Sequence, residues 1–85
     1  MNINILELLR EELSKTYELS RIYGFAAFDI CHNNRYIAAL SFIDTKLTLY
    51  TYNHTSDKFE TYEIDINASG NIVKEIKNIL KLKHA

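Results

Sequence analysis

Apolar residues occupy both parities between Tyr36 and Ile43: Tyr36, Ala38, Leu40 and Phe42 on one, Ile37, Ala39 and Ile43 on the other. A short run of this kind reads as a strand. A strand apolar on both sides belongs in the middle of a sheet and needs cover above and below. That is demanding for 85 residues. A chain of this length buries only about 60–65% of its unfolded surface. With a single cysteine, Cys31, no disulfide framework can replace a core, so packing, an oligomer interface or both must supply the stability.

The flanking pattern predicts an α+β domain over residues 1–85: an N-terminal helix, a four-stranded antiparallel meander and a C-terminal helix, with both helices on one face of the sheet. The first helix is expected over Asn4 to Glu18, where Ile5, Leu6, Leu9, Leu13 and Tyr17 recur at helical spacing. Leu8 lies beside that stripe and widens it. The strands are expected at Ile22–Ile30, Tyr36–Ile43, Lys46–Tyr52 and Lys58–Ile66. Asn33-Asn34, Asp44-Thr45 and Asn53–Asp57 carry turn chemistry between them. Asn67 or Ser69 can cap the last helix, whose Ile72, Val73, Ile76, Ile79 and Leu80 form a narrow apolar stripe. Short connections imply antiparallel neighbours. Two helices are enough for one sheet face, which leaves the second face for something outside the chain. A second copy is the simplest filler, because two-fold dimers are the commonest oligomers.

Composition removes several function classes. The net charge is −1, whereas a protein that grips duplex phosphates normally carries a basic excess. No apolar run reaches the ~18–20 residues of a membrane span. Met1 to Leu9 lacks a basic leader and contains Glu7. Together with the lone cysteine, this leads us to expect a cytoplasmic protein with no membrane partner. Ile, Asn, Lys and Tyr are abundant and share AT-rich codons, a bias common in low-GC bacteria and their phages and plasmids.

Three constellations invite chemistry. Glu12 on the first helix, Asp29 at the end of the first predicted strand and Asp44-x-Lys46 after the second are similar to the spacing of PD-(D/E)xK nucleases. That resemblance implies a divalent metal held by the carboxylates and an attacking water placed by Lys46. The match covers about a third of the chain, and Asp44-Thr45-Lys46 suits a turn better than a strand interior. Cys31 and His32 are metal-ligand types, but adjacent residues rarely converge on one ion and no second pair completes four ligands. A packing cysteine and a turn histidine fit better. Lys74, Lys77, Lys81 and Lys83 line much of the polar side of the last helix, a pattern that can meet nucleic acid or an acidic partner and also serves as a solvated face. The α-βββ-α order resembles double-stranded-RNA-binding domains, but Ser69-Gly70-Asn71-Ile72 does not reproduce their lysine-dense clamp. Neither resemblance assigns a family.

The sequence therefore assigns no catalytic residue, no metal ligand and no cofactor. It points to a small non-enzymatic interaction protein, a homodimer acting as an inhibitor or accessory protein of phage or plasmid type. The alternatives are the nuclease and a nucleic-acid-binding module using the lysine helix. The expected partners are a second copy and an unidentified protein. Thr48, Tyr50 and Tyr52 share one parity of the third predicted strand and are the expected partner-binding residues, because tyrosine couples a large apolar body to a polar tip. Asp57, Glu60, Glu63 and Asp65 cluster around the fourth, where acidic side chains discourage edge-to-edge pairing or attract a basic partner.

Overall fold

A computed structural model describes residues 4–22, 24–66 and 72–83. Among these residues the fold is α+β, with two helices and one five-stranded antiparallel sheet. The elements are α1 (Asn4–Leu13), β1 (Glu18–Arg21), β2 (Ala27–His32), β3 (Arg35–Ile43), β4 (Lys46–Asn53), β5 (Lys58–Ile64) and α2 (Ile72–Lys83). The strands lie in sequence order, β1-β2-β3-β4-β5, so the sheet is a pure meander. The expected caps Asn67 and Ser69 lie outside the described residues.

The fifth strand corrects the four-strand expectation: Glu18–Arg21 fills what was expected as a connection and takes only Glu18 from the first helix. That helix ends at Leu13 rather than Glu18. The Ser14 hydroxyl donates to the Glu11 carbonyl at 2.9 Å, and the Tyr17 amide donates to the Leu13 carbonyl at 2.9 Å. Tyr17 keeps its i+4 relation to Leu13 through that closing turn and packs against the core. Apolar spacing alone could not separate such a turn from a further turn of helix. Glu18–Arg21 then pairs with Phe28–Cys31 as an edge strand. The predicted Ile22–Ile30 strand is interrupted, with Gly24 at φ +83°, a conformation that costs glycine nothing. Pairing resumes only at Ala27.

Register decides the two faces. Phe28, Leu40 and Leu49 lie side by side across β2, β3 and β4, as do Ile30, Ala38 and Thr51; Leu47 pairs with Phe42 and with Ile64. These residues share one parity, and all of them except Thr51 and the half-buried Phe42 join Leu9 and Leu13 of α1 and Ile76 and Leu80 of α2 in the buried cluster. Leu13, Ile30, Leu40, Leu47, Leu49 and Ile76 are wholly buried. Leu47 and Leu49 thus face the core, and Thr48, Tyr50 and Tyr52 face away from it.

One departure from alternation matters for function. Ile30 is opposite Ala38, but Cys31 is opposite Tyr36, so β3 carries one extra residue at Ile37. The bulge shifts parity by one. Ile37 enters the core at 3% exposure, and Tyr36 leaves the parity of Ala38 and Leu40 that strict alternation assigned to it.

Both two-residue hairpins use left-handed positions: Asn33 and Asn34 at φ 54° and 63°, Asp44 and Thr45 at φ 53° and 61°. Two consecutive positive φ values match the right-handed twist of the strands. Asparagine and aspartate tolerate this, whereas the branched Cβ of Thr45 is strained there. We expect Thr45→Gly to raise stability by about 1 kcal/mol, after the extra unfolded-state entropy of glycine is subtracted. An upward shift of the urea midpoint at constant slope would show it, and a fall would mean that the threonine side chain makes a stabilising contact.

Candidate functional site

The face opposite the leucines carries an aromatic cluster. Tyr52 of β4 pairs with Phe59 of β5, and their ring centroids are 5.1 Å apart. Tyr36, delivered by the bulge, adds a third ring at 6.0 Å from Tyr52 and 6.2 Å from Phe59. These are the tilted and edge-on contacts that aromatic quadrupoles favour. Phe59 remains 54% exposed, far more than an apolar ring in a finished core.

The β4–β5 loop holds one side of the cluster. The Asn53 side-chain oxygen accepts from the Thr55 and Ser56 amides at 2.9 and 3.1 Å, and the Asp57 amide donates to the Asn53 carbonyl at 2.8 Å. This closed loop places Asp57, at φ 59°, where the Tyr52 hydroxyl donates to its carboxylate. It also places His54 edge-on to Tyr52 at 4.6 Å, with the imidazole Nε2 2.7 Å from the Tyr36 carbonyl oxygen.

Next to the aromatic end the face is low. Ala39 sits between Asp29 and Tyr50, and Ser41 sits between Ala27 and Thr48. Ala27 and Ser41 are buried at 9% and 8% exposure, so small side chains form a floor flanked by Thr48 and Tyr50. At the far end Ile43 pairs with Lys46, and Ile43 is 50% exposed. The face therefore runs from an aromatic ridge through a shallow floor to an apolar and basic end.

Charge near the ridge is acidic. The Tyr36 hydroxyl titrates above its ordinary value, first because burial disfavours the phenolate and then because Asp29 and Cys31 lie close. Tyr52 is raised chiefly by its hydrogen bond to Asp57, and Tyr17, beneath the sheet, by burial. A raised phenol contributes stability that is present below the unfolded value of about 10 and is lost as pH climbs through the folded value. Stability should therefore fall as pH rises past about 10, and Tyr36→Phe should flatten that fall. Denaturant midpoints at several alkaline pH values test this; an identical slope in the variant would show that Tyr36 does not contribute.

Thr48, Tyr50 and Tyr52 lie together on this face, all half-buried. Phe59, Tyr36 and His54 were missed, and Asp57 was read only as part of an acidic cluster. Phe59 has the parity of Thr61 and Glu63 and could have been found; Tyr36 required the bulge. Other singled-out residues are dispersed. Asp29 is opposite Ala39, whereas Asp44 follows Ile43 in the next hairpin, a separation of roughly 15 Å along the strand. Glu12 is on α1, bonded to Lys15 at 3.2 Å. Among the described residues no three His, Cys, Asp or Glu side chains group in a way that could hold a metal ion. Cys31 is a free, half-buried thiol opposite Glu18 and Tyr36. His32 packs edge-on against Tyr17 at 5.3 Å, with its buried Nδ1 lacking a hydrogen-bond partner. Lys74 and Lys81 are exposed on α2 and Lys77 is half-buried.

These features define a small α+β meander with an aromatic-edged open sheet face. Compared with protein-family models, with curated proteins and with solved structures, the chain matches none.

Proposed function

We propose that this is a non-catalytic interaction module that works as a homodimer, with the aromatic face of the sheet as its interface. In this reading both helices serve the leucine face, and the second copy supplies the cover that β3 requires on its other side. A dimer of this kind suits an inhibitor or accessory protein of the cytoplasm, where its single thiol stays reduced. The observation that carries the reading is Phe59, a half-exposed ring clustered with Tyr36 and Tyr52 on a sheet face away from the core. Exposed aromatic clusters beside small-residue floors are the usual anchors and pockets of protein interfaces.

The face is suited to meeting itself. Its ridge and its Ile43–Lys46 end lie at opposite ends, so a two-fold axis across the strands sets each ridge against the partner's far end. Lysine then approaches aromatic faces, a favourable pairing, and Asp29 meets the small-residue floor rather than its own copy. Five strands about 4.8 Å apart and about seven residues long give a face of roughly 20 by 23 Å. That lies at the lower end of specific interfaces, so a micromolar rather than nanomolar dimer is expected. Sedimentation equilibrium of the wild type and of Phe59→Glu tests the reading; a wild type that stays monomeric throughout the micromolar range would end it.

A further inference from the structure

A second surface lies apart from the aromatic face. Between α1 and α2 runs a groove of about 710 Å³. Leu8, Tyr17 and Val73 contribute apolar surface, and Lys74, Lys77 and Lys81 line the α2 side. Leu8 is 52% exposed there, which accounts for its place beside, rather than within, the stripe of α1. The lysines recur at i, i+3 and i+7, so their ammonium groups edge one side of the groove over about 10 Å. Among the residues lining the groove, the acidic group that shares it with Lys77 and Lys81 is Glu12, which is bonded to Lys15 at 3.2 Å. The groove thus presents a basic rim above apolar side chains.

We infer that this groove docks an acidic amphipathic helix of a partner protein, with leucine-type side chains against Leu8 and Val73 and carboxylates against Lys77 and Lys81. A groove lined by two helices is a surface into which an amphipathic helix can lay its apolar face. Charge selects the occupant, since a basic rim favours an acidic segment and repels a basic one. The apolar surface decides between acidic partners. A nucleic-acid backbone would satisfy the lysines but leave Leu8 and Val73 facing phosphate and water, whereas an amphipathic helix matches both. Three lysines in an otherwise acidic chain also fall short of the six or so phosphate contacts typical of duplex binders.

The test uses the full chain and a synthetic helical peptide with leucines at i, i+3, i+4 and i+7 flanked by glutamates. A copy with lysine for glutamate, a single-stranded oligonucleotide and anionic vesicles serve as further probes. Fluorescence anisotropy should show the acidic peptide binding. K77E/K81E should weaken it by about tenfold or more, and the same variant should gain affinity for the lysine peptide. Leu8→Ser should weaken the acidic peptide by about threefold to tenfold. Unchanged far-ultraviolet dichroism and sedimentation would show that the fold and the sheet-face dimer are intact, which keeps this test separate from that of the dimer. Absence of binding by the acidic peptide, binding indifferent to K77E/K81E, or tighter lysine-dependent binding of the oligonucleotide or vesicles would overturn the assignment.

Discussion

Leu40→Ala is expected to remove about 3–4 kcal/mol of folding free energy. Leu40 is wholly buried and lies between Phe28 and Leu49 in the middle of three hydrogen-bonded strands. The ladders on either side hold the β3 backbone, so the neighbours cannot collapse into the space left behind. A chain of 85 residues has about 4–13 kcal/mol of stability in total, and this single change takes a large fraction of it. Urea unfolding should show a sharply lower midpoint. Leu82→Ala is the matched control: Leu82 is 82% exposed, and its loss should change stability by less than about 0.5 kcal/mol. A loss below about 1 kcal/mol at Leu40 would mean that the central layer is looser than its burial indicates.

Phe59→Glu should separate the dimer while leaving the protomer folded. Anchoring aromatics at the centre of interface clusters contribute about 2–4 kcal/mol, equivalent to a thirtyfold to thousandfold weaker dimer. The glutamate adds to this by introducing a charge near the Asp57 carboxylate, which the Tyr52 hydroxyl already holds beside the ring cluster. Within the protomer Phe59 is on the edge strand and half exposed, so losing its contacts with Tyr36 and Tyr52 should cost only about 1 kcal/mol. The contrast between those two effects is the diagnostic. A variant that unfolds would make Phe59 part of the core, and one that dimerises like the wild type would move the interface elsewhere.

The two predictions draw on parts of the fold that differ in how far the chain displays them locally. Most of the leucine face was readable because its residues, Ile37 at the bulge excepted, obey a short-range period: Leu47 and Leu49 in β4, Tyr62 and Ile64 in β5, Ile76 and Leu80 in α2. The positive φ values at Asn33, Asn34 and Asp44 followed from residue types that tolerate them. The error over Glu18–Arg21 arose because an edge strand of four residues, exposed on three of them, has almost no apolar pattern of its own. Its identity comes from the partner it hydrogen-bonds. The candidate site was half legible for the same reason. Tyr50 and Tyr52 were placed by parity, and Tyr36 was misplaced by parity, because a bulge is invisible to alternation.

By itself, the order of residues determined that this chain forms an α+β meander, where the hairpins after β2, β3 and β4 turn, and that Leu47 and Leu49 share one face of β4 while Thr48, Tyr50 and Tyr52 share the other. Those are consequences of local stereochemistry and period. The tertiary structure alone decided the fifth strand, the exchange of Ile37 and Tyr36 across the sheet, the assembly of Tyr36, Tyr52, Phe59 and His54 into one cluster, and the meeting of Leu8 with the lysines of α2. Each of these depends on pairing between segments distant in the chain. Such pairing is set by how whole surfaces fit together, and no window of sequence contains it.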